Sequence, residues 1–204
     1  MQHGHEEARD GEAAVGGRAV KLDWSHRFLL LAAEVATWSK DPSTKVGCVI
    51  ARDKQVISLG YNGFPRGIAD DDRLEDRDQK YAHVVHSEPN AIINARCSLE
   101  GCTIYTWPFP PCAECAKLII QAGIRQVVCP PPSHELEARW GDKLRLASAM
   151  LREAGVRLSH VDAKRGREEL WDILVRIWGM TTTGYLTPEE SLTRVRAFCQ
   201  EILG

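Results

Sequence analysis

The sequence predicts a three-layer α/β/α sandwich built on a central mixed five-stranded sheet, with a helical extension at the C-terminus. Short runs rich in Val and Ile alternate with segments of about ten residues whose apolar positions recur at helical spacing. The first two of these runs are close enough for a hairpin, whereas the later ones are separated by helical stretches, so the sheet is at least partly parallel. A length of 204 residues with 44% hydrophobic content suits one good-sized domain plus an appendage and can bury a core.

Residues 1–21 are rich in Gly and charge, with only Val15 and Val20 as β-branched apolar residues, and read as a disordered tail. From Trp24 to Trp38, the residues Phe28, Leu31, Val35 and Trp38 recur at spacings of three and four, which predicts an amphipathic helix capped by Asp23 or Ser25 and ended at Asp41-Pro42. Lys45–Ala51 and Gln55–Tyr61 read as the hairpin, followed by the loop GYNGFPRG at 60–67. The run DDDRLEDRDQK at 70–80 reads as a solvated loop or helix face, a metal or nucleotide-phosphate role being the alternative. After it come a helix over Ser87–Ala95, a strand over Cys102–Trp107, a helix over Cys112–Ala122 and a strand over Arg125–Cys129. A helix over Leu144–Ala154 and a strand over Val156–Leu158 close the compact unit, 22–158. In 159–204, the residues Leu170, Trp171, Leu174 and Trp178 and then Leu192, Val195, Phe198 and Ile202 predict two amphipathic helices that pack on the domain or on a neighbouring subunit.

Composition narrows the function classes. Lys and Arg number 26 against 28 Asp and Glu, so the chain lacks the basic field that nucleic-acid binding usually needs. No window approaches the ~20 apolar residues of a membrane span, and the N-terminus has no secretory apolar run, which points to a soluble, cytoplasmic protein. Seven Cys, odd in number and unevenly spaced, suit free thiols and metal ligands better than a disulfide framework.

Two short patterns carry chemistry together: His86-Ser87-Glu88, and Pro111-Cys112-Ala113-Glu114-Cys115 further on. H-x-E alone is weak, since about half an occurrence is expected by chance and His5-Glu6-Glu7 is a second example. P-C-x-x-C is sharper, at about 0.01 expected occurrences. Together they form the signature of zinc nucleobase deaminases. Cys112 and Cys115 fall three apart in the first turn of a predicted helix, where exposed N–H groups favour thiolates. With His86 they make three protein ligands, leaving the fourth tetrahedral position for water, and Glu88 is the candidate proton carrier. Pro89 is tolerated because it falls in a helical first turn. Cys48, Cys97, Cys102, Cys129 and Cys199 lack ligand spacing and read as core or surface thiols. His83 is either a neighbour of the metal or an ordinary network histidine.

With these residues in place, the chain resembles the deoxycytidylate (dCMP) deaminases of the cytidine-deaminase-like superfamily. SKDPSTKVGCVI (39–50), GYNGFPRG (60–67), HSEPNAI (86–92) and PCAECAKLIIQAGI (111–124) each resemble a family motif, in the family's order. The resemblance implies Zn2+ held by His86, Cys112 and Cys115, with Glu88 as the catalytic residue. It places Ser43 and Lys45 near the 5′-phosphate and Asn62 near the sugar, with capping, surface and turn roles as their structural alternatives. It also implies that the Ser87 backbone bonds a pyrimidine carbonyl. Phe109, or Trp107, is an aromatic candidate for stacking on the base.

Many members of the family are hexamers regulated by dCTP and dTTP, which implies an allosteric loop carrying Gly63, Phe64 and Gly67 and Mg2+ accompanying a triphosphate effector. The implied reaction converts dCMP to dUMP and ammonia for thymidylate synthesis. Its rivals are deamination of another small nucleotide or nucleoside (dCTP, a modified dCMP, cytidine or an adenine nucleotide) and a non-catalytic nucleotide-binding scaffold. The sequence departs from the family at Ser87, where Ala is usual, in a 107–111 segment about one residue longer, and in the C-terminal 46 residues.

Overall fold

The computed structural model describes residues 23–162. The predicted tail at 1–21 and the two predicted C-terminal helices lie outside the described residues. Eleven elements follow in order: α1 (Trp24–Thr37), β1 (Gly47–Arg52), β2 (Gln55–Tyr61), a 3-10 turn (Asp72–Leu74), α2 (Arg77–His83), α3 (Ser87–Asn94), β3 (Thr103–Trp107), α4 (Ala113–Gln121), β4 (Gln126–Cys129), α5 (His134–Glu153) and β5 (Arg157–His160). The sheet runs β2-β1-β3-β4-β5. Strand β1 is antiparallel to both β2 and β3, whereas β3, β4 and β5 are mutually parallel, so the sheet is mixed. Among the described residues no helix is long and apolar enough to cross a membrane.

Period-two alternation divides the core. Cys48 and Ile50 of β1, Ile104 of β3 and Val127 and Cys129 of β4 pack under α3, α4 and α5. Val49 and Ala51, with Tyr105 and Val128, face Phe28, Leu29 and Ala32 of α1. Strand β1 is therefore buried on both faces, which explains why its sequence is a nearly continuous apolar run. Asp23 provides the α1 cap, its carboxylate accepting the His26 N–H at 3.0 Å.

Two elements differ from the sequence expectation. Helix α5 begins at His134, ten residues before Leu144, because Ser133 accepts the Leu136 N–H at 3.2 Å and Glu135 and Glu137 fall in the first turn. The run at 70–80 is exposed at most positions, as a solvated loop and helix face would be, and is ordered within: Asp71 caps the 3-10 turn and Asp76 caps α2, while Asp70 pairs with Lys40 at 2.8 Å. Strand β5 also extends to His160, two residues beyond the expected Leu158.

Helices seat on the sheet where a side chain is missing. A Cβ at Gly60 of β2 would overlap Ser87 O and Ala91 N of α3, and one at Gly47 of β1 would overlap Ala32 O and Ala36 N of α1. Gly60→Ala is expected to destabilise the protein by about 1–3 kcal/mol through overpacking, measured as a lowered urea midpoint with an unchanged slope. A neutral result would show that α3 does not need its close seat.

Candidate metal centre and active site

Helices α3 and α4 meet at their N-terminal ends. His86 is the N-cap of α3 and Cys112 the N-cap of α4, and neither side chain makes the capping hydrogen bond its position would allow. Both are therefore free to point elsewhere, and with Cys115 they form a cluster whose ligand atoms lie within 4.8 Å of one another. His86 Nδ1 is 3.3 Å from Cys115 Sγ and 3.6 Å from Cys112 Sγ, and the two sulfurs are 3.6 Å apart. A tetrahedral zinc with bonds of about 2.3 Å to sulfur and about 2.0 Å to nitrogen sets its ligands about 3.5–3.8 Å apart. The triangle fits that ion closely and offers one nitrogen and two sulfurs, with the fourth position left open.

The three groups of the triangle shift one another's protonation in opposite directions. The hydrogen bond between the two sulfurs holds the Cys112 thiol well below the usual range, helped by His86, and pushes Cys115 up. The hydrogen bond with Cys112 raises His86. Outside the cluster, burial pushes Cys129 up to about 12 and raises Cys48, so both stay protonated. Cys129 packs in the core with His160 Nδ1 3.6 Å from its sulfur.

Glu88 stands in the first turn of α3, buried at 4% exposure. Burial raises its carboxyl above the ordinary carboxylate range, against the lowering effect of the His86 charge and the Ser87 hydroxyl. Ser87 is itself fully buried, and its Oγ donates to Glu88 Oε2 at 3.0 Å. The hydroxyl that departs from the family pattern therefore helps to orient the buried carboxyl.

His86, Glu88 and Cys112 open into a cavity of about 190 Å³. Phe109 forms part of its wall, whereas Trp107 packs with the α1 side of the sheet. Asn62 also lines the cavity, with its amide engaged by the protein: Oδ1 accepts the Val46 N–H at 2.8 Å and Nδ2 donates to Thr44 O at 2.9 Å. Lys45 is exposed and outside the cavity lining, and the Ser43 hydroxyl bonds Asp41 and Lys80. Gly63 exchanges backbone hydrogen bonds with Val85, immediately before His86. The Phe64 ring lies 5.6 Å from that of His83, whose Nδ1 donates to Gln79 O, and Gly67 takes a positive φ of 85°.

Sequence reasoning missed the other half of the cavity. Asp41 and Lys80, buried at 5% and 6% exposure, form an ion pair of 3.0 Å. Asp41 also accepts the backbone N–H groups of Ser43 and Thr44 at 2.9 and 3.0 Å and the Asn62 amide at 3.3 Å. Burial works to raise the Asp41 carboxyl, but these N–H donors, with Lys80 and Ser43, hold it below the usual carboxylate range. Tyr81 of α2 and Trp140 of α5 meet edge to face at 6.1 Å, and Arg139 and Lys143 line the same side. A usable signal existed: Leu136, Trp140 and Leu144 recur every four residues behind a Pro-Pro-Pro-Ser start. Lys80 carried none, being one charge among many.

Comparison with known proteins now defines the class. Residues 22–130 match the family model described as the cytidine and deoxycytidylate deaminase zinc-binding region. The chain belongs to the cytidine and deoxycytidylate deaminase family. It is 43% identical over 136 residues to a protein of Aliivibrio fischeri described as an uncharacterized deaminase in the luxG 3′ region, which covers 67% of this chain and 92% of that protein. It is 43% identical over 115 residues to the human deoxycytidylate deaminase, covering 52% of this chain and 64% of the human protein. The dCMP deaminase of cyanophage S-TIM5, solved in complex with dCMP and dUMP, has the same fold at a TM-score of 0.56 and 21% identity, over 70% of this chain and 99% of that one.

Two outcomes follow from the geometry. His86→Ala, Cys112→Ser and Cys115→Ser are each expected to lose a single equivalent of zinc in elemental analysis of the purified protein; retention in all three would remove the metal site. Asp41→Asn is expected to destabilise the fold by about 3 kcal/mol at neutral pH, because it strands the buried Lys80 ammonium. Since the folded pKa of Asp41 is depressed, its contribution is fully present above the unfolded value near 3.9 and fades as pH falls through the lower folded value. Denaturation of wild type and variant at pH 7 and pH 3 should therefore show the gap closing in acid.

Proposed function

We propose that this chain is a zinc-dependent hydrolase that deaminates dCMP to dUMP and ammonia, a source of dUMP for thymidylate synthesis. The observation that carries the reading is the protonation-prone Glu88 carboxyl, buried beside a three-ligand site in one cavity. A scaffold that only bound nucleotides would have no use for a buried acid there. A zinc ion held by His86, Cys112 and Cys115 supplies the Lewis acidity that makes water nucleophilic at neutral pH. Glu88 accepts a proton from the attacking water and delivers it to the ring nitrogen beside the attacked carbon, then takes the proton of the newly bound hydroxyl and passes it to the departing amine. The carbon–nitrogen bond breaks, ammonia leaves and a carbonyl remains. The Ser87 hydroxyl orients Glu88 through these transfers, and Ser87 N–H is the candidate donor to the pyrimidine carbonyl. Phe109 gives the base an apolar wall. Asn62 Oδ1 keeps a second lone pair and is the candidate acceptor for a sugar hydroxyl.

The family relationship also supports a homo-oligomer, a hexamer by analogy, in which the Gly63–Gly67 loop responds to dCTP and dTTP with Mg2+. The hydrogen bonds between Gly63 and Val85 would connect that loop to His86.

Ammonia release from dCMP, dCTP, deoxycytidine, CMP and dAMP tests the reading directly. The expected result is turnover of dCMP above all others, with Glu88→Gln lowering kcat by about 10²–10⁴. Full activity in Glu88→Gln would sink the mechanism, and preference for dAMP would sink the substrate. Velocity against dCMP should be sigmoidal without dCTP and hyperbolic with it; hyperbolae in both would remove the regulatory part.

A further inference from the structure

The cavity lining carries two kinds of chemistry. His86, Glu88 and Cys112 belong to the metal centre and its buried acid, and Lys80 of α2 with Arg139 and Lys143 of α5 add three cationic side chains to the same cavity. Lys80 is buried, and an ammonium has three N–H donors. Two are used, by Asp41 Oδ1 and Ser43 Oγ, leaving one for the cavity that Lys80 lines.

Arg139 and Lys143 lie four residues apart on α5, hence on adjacent turns of one face, where like charges repel. Among the described residues neither has an ion-pair partner, although Arg145 on the same helix pairs with Asp142. The Lys143 ammonium instead lies 4.7 Å from the centre of the Trp140 ring, and that ring meets Tyr81 across the seam between α5 and α2. Asp41 already balances the charge of Lys80. The two unbalanced cations match the charge of roughly −2 that a phosphate monoester carries at neutral pH.

Building on the deaminase reading above, we infer that Lys80, Arg139 and Lys143 read the 5′-phosphate of the substrate. The monophosphate is thus recognised by α2 and α5, not by the Ser43-Thr44-Lys45 loop. Lys45 is exposed and outside the lining, and Ser43 acts by fixing Lys80. Arg139 offers a planar fork suited to two phosphate oxygens, while Lys80 and Lys143 act as point charges on either side of the aromatic seam. Binding of the anion relieves the repulsion between Arg139 and Lys143 along α5.

The test uses the full-length, zinc-loaded chain. Steady-state kinetics on dCMP and deoxycytidine are measured for wild type, Arg139→Ala, Arg139→Lys and Lys143→Ala, with Arg145→Ala as a control outside the cavity. Calorimetric titration with dUMP and deoxyuridine gives a second readout that needs no turnover. Wild type is expected to bind dUMP at least tenfold more tightly than deoxyuridine. Arg139→Ala and Lys143→Ala should each raise the KM for dCMP and the Kd for dUMP tenfold or more, with the loss in KM and not in kcat. Arg139→Lys should recover part of the loss and Arg145→Ala should match wild type. If both alanine variants keep dCMP KM and dUMP Kd within twofold of wild type, the assignment is overturned, and a matching loss in Lys45→Ala would return the phosphate to the 43–45 loop. A wild type that releases no ammonia from any cytosine nucleotide refutes the deaminase reading alone, and the dUMP titrations then still decide the phosphate assignment.

Discussion

The close seating of α3 on the sheet is the constraint on which the rest of the site depends. This helix carries His86, Ser87 and Glu88 at its first turn, so any shift of its axis moves a metal ligand and the buried acid together. Three short-range features hold it down. Gly60 presents no Cβ to Ser87 and Ala91, the Cys48 thiol donates to Ser87 O at 3.1 Å, and the Ser58 hydroxyl donates to Ala91 O at 2.7 Å. Each belongs to the hairpin formed by β1 and β2, so the hairpin positions the buried Glu88 carboxyl. Because interiors are packed near crystal density, such a seat has little slack.

A second constraint works from the opposite side of the cavity. Asp41 gathers Ser43, Thr44, Asn62 and Lys80, which lie on the loop after α1, the end of β2 and helix α2. A buried ion pair is weak evidence for stability, since desolvation offsets much of the attraction. Here the pair also receives backbone and amide hydrogen bonds, which satisfy the carboxylate and fix where the ammonium stands. Polar residues are thus buried where the nucleotide is expected to bind, and the apolar side of the cavity is left to Phe109, Tyr81 and Trp140.

Together these constraints divide the chemistry. The metal triangle and Glu88 come from two helix N-termini that meet over the sheet, where unbonded N–H groups already favour negative charge. The cationic part of the lining comes from side chains on α2 and α5, two helices that meet through an aromatic edge contact.

Much of the fold was legible in the sequence because its signals are local. Runs with Val or Ile mark β1, β2, β3 and β4, and β1 reads as a nearly unbroken apolar stretch because helices cover both its faces. The metal triangle was legible for the same reason: Cys112 and Cys115 are three apart, and His86 stands two residues before Glu88. Helix α5 was placed ten residues late because its N-terminal half covers a cavity, where Arg139 and Lys143 interrupt the apolar pattern that marks a helix in the core. Asp41 and Lys80 carried no signal of their own, since a charge in a run of charges or a proline-adjacent Asp becomes a site residue only through partners distant in the chain. The sequence determined which residues could hold a metal and move a proton, because that chemistry is written in residue type and short spacing. Tertiary structure alone decided which cations line the cavity, because burial and partnership between α2, α5 and the 39–46 loop are long-range properties of the packed chain.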